Sequence, residues 1–154
     1  MEQTIVADIG GTNTRFAIAT KSATGFAISA QWIQASDKFS GLEDALVAYL
    51  QTIDSTNITK ACLAVAGPIV DGKVRVTRQG WDATIVDMKK QFGFIEFNLV
   101  NDFTALAFSL PYLSKADTLD IYSQGEAGVG VKAIIGPGTG FGVAGLMPTN
   151  NSWQ

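Results

Sequence analysis

Asp8-Ile-Gly-Gly-Thr-Asn-Thr-Arg15, directly after the apolar run Ile5-Val6-Ala7, is the stretch on which the reading of this chain turns. A strand that ends in adjacent glycines lets the backbone turn tightly and approach a ligand where a side chain would block it. The amides of Gly10, Gly11 and Thr12 are then placed to converge on phosphate oxygens as an anion-binding nest. Asp8, at the strand's end, is placed to face a magnesium ion, a hard cation that prefers oxygen ligands and keeps much of its water. The competing reading is a Gly-Gly hairpin turn between two strands, with Asp8 and Asn13 as ordinary turn residues.

Outward from that stretch, β-rich runs at 4–9, 15–20 and 26–33 are separated by glycine breaks at 10–11 and 25, which predicts an antiparallel meander. Ser40-Gly-Leu-Glu43 has the form of a capping box. Leu42, Ala45, Leu46, Tyr49, Leu50 and Ile53 then fall at helical spacing, predicting an amphipathic helix over 41–54. The continuously apolar run 61–66 reads as a strand covered on both faces. A hairpin over 70–77 carries Asp71-Gly72 at its tip. A helix at 83–92 has Asp82 or Thr84 as its cap and Lys89-Lys90 before Gly93 at its end. A strand at 95–100, a helical stretch at 103–110 stopped by Pro111 and a last strand at 133–135 complete the pattern. Three strands followed by α, β, α, β, α define an α/β layout whose later strands are parallel through right-handed crossovers.

Two further places carry chemistry. Asn101-Asp102 stands at the carboxyl end of a strand, where ligands collect in open α/β sheets. An Asp there can accept a proton from a substrate hydroxyl while Asn101 holds a neighbouring hydroxyl; capping the next helix is the ordinary alternative. Gly136-Pro-Gly-Thr-Gly140 also follows an apolar strand and reads as a second phosphate-facing turn, with a plain glycine-rich hairpin as its alternative. Two letter-level matches fail on context. Gly67 to Val74 lacks the Ser or Thr of a P-loop, and Gly140-Phe-Gly142-Val-Ala-Gly145 opens no convincing helix.

Composition narrows the chemistry. The 154 residues carry a net charge of −3, which argues against a nucleic-acid partner. There is no histidine, so any general base is Asp, Glu, Lys, Tyr or Cys. Cys62, the single cysteine, sits in an apolar run and reads as a core residue. Neither a signal peptide nor an apolar stretch of membrane-spanning length is visible, so the expectation is a cytoplasmic protein with no membrane partner.

Taken in order, these segments resemble the bacterial glucokinases. Val6-Ala-Asp-Ile-Gly-Gly-Thr-Asn-Thr-Arg15 is similar to the family's first phosphate motif, and Ala64-Val-Ala-Gly-Pro-Ile69 to the loop before its active-site hairpin. Trp81 with Met88-Lys-Lys-Gln-Phe-Gly93 resembles the next helix, and Val100-Asn-Asp-Phe-Thr-Ala105 its catalytic signature. Gly136-Pro-Gly-Thr-Gly-Phe-Gly-Val-Ala144 resembles the second phosphate motif. The resemblance implies a ribonuclease H-like βββαβα lobe of the sugar kinase, actin and heat-shock chaperone ATPase superfamily over 1–110, and the incomplete start of a second lobe over 111–154.

It also implies an enzyme that phosphorylates glucose with ATP and Mg2+. Asp102 would be the base toward the sugar 6-hydroxyl and Asn101 a sugar ligand. Gly10, Gly11, Thr12, Asn13, Gly138, Thr139 and Gly140 would surround the nucleotide phosphates, with Asp8 near magnesium through water. A homodimer is a further option from the resemblance, which these residues do not themselves show. A non-catalytic sugar-sensing module of the same fold and a kinase for another hexose are the competing functions; the presence of Asp102 favours the enzyme. The sequence departs from the pattern at Arg78-Gln79, where the family usually places an Asn, and it stops before the family's Glu-Gly-Gly-His segment. The isolated 1–154 chain is therefore expected to be inactive.

Overall fold

Ile5 and Ile9 alternate with Val6 and Asp8 along β1 (Gln3–Ile9), so one face of the strand sends its two isoleucines into the core and the other opens outward. This computed structural model describes residues 2–23, 25–76, 78–122, 130–137, 141–150 and 152–154. They fall into two compact units, residues 1–102 and 103–154.

In the first unit β1 pairs antiparallel with β2 (Asn13–Ser22), and β2 with β3 (Gly25–Ala35), as the glycine-broken runs predict. A register shift between Phe16 and Ile18 accommodates Ala30, whose φ of 48° lies in the left-handed region. The Tyr49 hydroxyl donates to the Ala30 carbonyl at 3.0 Å, holding that irregularity against the next helix.

That helix, α1 (Leu42–Leu50), is shorter than the apolar spacing predicts, and its capping differs. Gly41 is the residue before the first turn, so Asp44 rather than Glu43 reaches back; its Oδ2 accepts from the Ser40 amide at 3.0 Å and the Ser40 hydroxyl at 3.1 Å. At the other end the Thr52 hydroxyl donates to the Tyr49 carbonyl at 2.7 Å, closing the helix before Ile53.

β4 (Lys60–Val65) pairs parallel with β1. It buries Ala61, Leu63 and Val65, while Cys62 and Ala64 on the other face are only half-buried, not covered as a continuous apolar run suggests. β5 (Ile69–Val70) and β6 (Lys73–Val76) flank Asp71 and Gly72, whose φ values of 51° and 70° are those of a type I′ hairpin.

Residues 81–84, in part assigned from sequence to a helix, instead form β7 (Trp81–Thr84), antiparallel to β6. Trp81 and Ala83 are buried and Asp82 exposed, a period of two too short to stand out beside the helix that follows. That helix, α2 (Ile85–Phe92), is capped by Thr84: its Oγ1 accepts from the Asp87 amide at 3.0 Å. Gly93, at φ 69°, ends it in the left-handed conformation that glycine adopts without cost.

β8 (Glu96–Asn101) lies parallel to β4 and completes a sheet in the order β3-β2-β1-β4-β8. The antiparallel first three strands and parallel later ones follow the layout read from the sequence. Leu42, Leu46, Tyr49 and Met88 from the helices pack with Ile5, Ile9, Phe16, Leu63, Val65 and Leu99 from the sheet. At the amino ends of the parallel strands, Lys60 Nζ lies 2.6 Å from both Glu2 Oε1 and Glu96 Oε1. The hydrogen bond and charge of Lys60 hold the Glu2 carboxyl below its usual range, and both carboxylates raise Lys60.

α3 (Asp102–Ser109) opens on the second residue of the Asn101-Asp102 pair and passes into a 3-10 turn over Leu110–Tyr112 that contains Pro111. In the second unit β9 (Lys132–Pro137) and β10 (Phe141–Leu146) form an antiparallel hairpin. β10 is not evident from sequence because Gly142 and Gly145 interrupt its apolar pattern. The Phe103 ring covers both strands: a Cβ at Gly136 would stand 2.7 Å from Phe103 Cζ, and one at Gly142 only 1.9 Å from Cε2. No helix among the described residues is long and apolar enough to cross a membrane.

Candidate functional site at the strand ends

Ile9, Val65 and Asn101 are register partners across the three parallel strands β1, β4 and β8. The residues that follow each of them, Gly10, Ala66 and Asp102, therefore leave the sheet along one line at its carboxyl edge. Two contacts hold that line. The Ala66 amide donates to the Ile9 carbonyl at 3.0 Å, and the Asn101 side-chain amide donates to the Gly67 carbonyl at 3.2 Å. The structure thus sets the first glycine turn and the Asn101-Asp102 pair on one edge of the sheet, with the end of β4 between them, although more than 85 residues separate them in the chain.

The turn between β1 and β2 is built by fixing its carbonyls. Gly10 O accepts from the Ser36 hydroxyl at 2.8 Å, Gly11 O from Gln79 Nε2 at 2.9 Å, and Thr12 O from the Ser36 amide at 2.9 Å. In a trans peptide the carbonyl and the following N–H point in opposite directions. Anchoring Gly10 O and Gly11 O to the protein body therefore turns the Gly11 and Thr12 amides the other way.

One part of the sequence reading changes here. The Gly10 amide donates to the Asn13 carbonyl at 2.9 Å and is spent inside the turn, leaving Gly11 and Thr12 as the backbone donors. Behind the turn, Ser36 and Thr14 are fully buried with their hydroxyls 2.9 Å apart. Ser36 has one hydroxyl proton and gives it to Gly10, so Thr14 is the donor in that pair.

Asp8 lies on the outward face of β1, roughly half exposed, and its Oδ2 accepts from Arg15 Nη1 at 2.8 Å. Among the described residues no three His, Cys, Asp or Glu side chains cluster closely enough to form a metal cage. Magnesium held through a carboxylate and substrate phosphates needs no such cage. One exposed carboxylate beside a turn with open amide donors is compatible with that mode, and Asp8 is the residue here that would hold the ion through water.

Asp102 and Asn101 are both half-buried at the start of α3. Gly138, Thr139 and Gly140 of the second glycine turn lie outside the described residues; Pro137 and Phe141 on either side are paired. An open hollow of about 420 Å3 lies on the outward face of β1, β2 and β3, lined by Val6, Asp8, Arg15, Ile28, Trp32 and Ile33 among others. It is mainly apolar, and the convergent donors are at the strand ends instead.

Sequence spacing did not reveal Ser36, Gln79 or Arg78 as neighbours of the first turn. They stand 26, 68 and 66 residues from their partners Gly10, Gly11 and Thr12. No local pattern signals such contacts, although Arg78-Gln79 was visible as a departure from the family's pattern.

The sequence model of the family described as glucokinase matches residues 5–154. The glucokinase of Saccharophagus degradans is 40% identical over 150 residues, covering 97% of this chain and 47% of that protein. The crystal structure of glucokinase from an Antarctic psychrotroph superposes with a TM-score of 0.87 at 38% identity, covering 100% of this chain and 49% of that one. Glucokinase from Balamuthia mandrillaris in complex with glucose gives a TM-score of 0.74 at 22% identity, covering 99% of this chain and 46% of that one, and speaks to the fold alone. The architecture is that of the sugar kinases in the actin-like ATPase fold. Within that class, the chain belongs to the glucokinase family. It spans about half the length of the curated relatives it matches.

Proposed function

We propose that this chain forms part of an ATP-dependent glucokinase. Residues 1–110 are its small lobe, and 111–154 begin the large lobe with the second phosphate turn. The observation that carries this reading is the shared register of Ile9, Val65 and Asn101, because it sets the first glycine turn and a carboxylate on one edge. Asp102 is the base toward the glucose 6-hydroxyl and Asn101 a sugar ligand. Gly10 to Asn13 shape the first phosphate turn, Gly11 and Thr12 supplying its amides, and Gly138, Thr139 and Gly140 form the second. Asp8 would hold magnesium through water, and the bound ion would supply charge neutralisation on the nucleotide.

In the reaction, a bond forms from the sugar O6 to the terminal phosphorus of ATP as its bond to the bridging oxygen breaks. The hydroxyl proton passes to Asp102, and glucose 6-phosphate and ADP leave. Such a transfer needs in-line positioning and charge stabilisation more than covalent chemistry by the protein. In the full-length protein, Asp102→Asn is expected to lower kcat with glucose by about a hundredfold or more while Mg-ATP binding survives. A coupled assay with calorimetry tests this, and near-normal turnover in the variant would rule out Asp102 as the base.

A further inference from the structure

The end of the β6–β7 hairpin lies against the first glycine turn. Val76 and Trp81, both buried, pair at its base, and the Gly80 amide donates to the Val76 carbonyl at 2.8 Å. Gln79 then binds the Gly11 carbonyl, as described above. Arg78 lays its aliphatic stem directly on Gly11: a Cβ there would stand 2.8 Å from both Cβ and Cδ of Arg78. Its Nη1 lies 3.5 Å from Thr12 Oγ1, at the outer limit of a hydrogen bond. Among the described residues no carboxylate comes within 4.0 Å of this guanidinium, whereas Arg15 nearby is paired with Asp8.

A planar cation with five donors thus rests, through its aliphatic stem, on the same turn whose Gly11 and Thr12 amides are left as donors. All these groups donate. A sugar hydroxyl would also need an acceptor for its own proton, but a phosphate oxygen needs donors and positive charge alone. We propose that Arg78 is a ligand of the nucleotide's terminal phosphate, gripping an oxygen of the group to be transferred and neutralising charge as that group moves. This rests on the reading of Gly10 to Asn13 as a nucleotide cradle and gives that cradle its cation. Gly11 is required here because any side chain would lift Arg78 off the turn.

The test uses full-length protein and calorimetric titration of Mg-ATP, Mg-ADP and AMP into wild type, Arg78→Gln and Arg78→Lys. Arg78→Gln is expected to weaken Mg-ATP binding by about tenfold or more while AMP changes less than about threefold, with Arg78→Lys in between. It is also expected to lower kcat by about a hundredfold or more with little change in KM for glucose, since an arginine on the moving phosphoryl group acts in the transition state. Equal Mg-ATP affinity and kcat in wild type and Arg78→Gln would overturn the proposal. A loss confined to KM for glucose would overturn it in favour of a sugar contact. Should wild type bind Mg-ATP without phosphorylating glucose, the glucokinase reading falls and the ATP-to-AMP comparison still decides Arg78. Should wild type fail to bind Mg-ATP, both fall. Arg78 is exposed, and Arg78→Lys carries the test if the glutamine variant unfolds.

Discussion

The side-chain amide of Asn101 donates to the carbonyl of Gly67 at 3.2 Å, tying the end of β8 to the loop that leaves β4. The contact ties Asn101 to a neighbouring strand, so tertiary structure helps to position the residue before Asp102.

Asn101→Asp keeps the size of the side chain but removes the amide donor and sets a carboxylate oxygen against the Gly67 carbonyl. In the full-length protein KM for glucose is expected to rise about tenfold or more, with KM for ATP changing less. Steady-state kinetics with each substrate varied in turn checks this; equal rises in both would show that Asn101 acts on the whole site.

Ser36→Ala removes the donor to Gly10 O and the acceptor of the buried Thr14 hydroxyl. Leaving a buried polar group without a partner is expected to cost about 1–3 kcal/mol of stability. Mg-ATP binding should weaken too, because one of the bonds that turns the Gly11 amide outward is gone. Denaturant unfolding and nucleotide titration measure the two effects, and unchanged stability would contradict the buried hydroxyl chain.

Gly142→Ala places a methyl group where the Phe103 ring lies, 1.9 Å from Cε2. Overpacking of this kind is expected to cost about 1–3 kcal/mol. Phe103→Leu in the same protein should recover part of the loss by vacating the ring's space. A double-mutant cycle in denaturant tests the coupling, and simple additivity would place the ring elsewhere.

The Glu2–Lys60–Glu96 cluster sets a pH and salt dependence. The Glu2 carboxyl lies below its ordinary value of 4.5, so its contribution is complete above that pH and is lost as pH falls through the lowered value. Lys60 lies above its ordinary 10.5, so its contribution is complete below that pH and is lost as pH rises through the raised value. Lys60→Met should therefore lower the unfolding temperature most between these limits, and less at acid pH or high salt, where the exposed pairs are protonated or screened. A thermal series over pH and ionic strength would show it; a loss independent of both would mean that Lys60 acts through packing alone.

Local regularities made most of the fold legible. Alternating apolar residues and glycine breaks marked β1, β2 and β3, helical spacing marked α1 and α2, and Asp71-Gly72 marked a turn needing two positive φ angles. β7 escaped because a strand of four residues carries one full alternation, and β10 because Gly142 and Gly145 replace the side chains that would show its period. The helix cap at Asp44 in place of Glu43 turns on a start position that a capping pattern specifies only to within a residue.

The sequence by itself determined most of the strands, where glycine freed the backbone and which carboxylate follows β8, because each depends on residues close together in the chain. Tertiary structure alone decided that Ile9, Val65 and Asn101 end on one line, that Ser36 and Gln79 turn the Gly11 and Thr12 amides outward, and that Arg78 lies on Gly11. Those relations join residues brought together by strand pairing and core packing, and no short-range periodicity encodes which distant partner fills a given hydrogen bond.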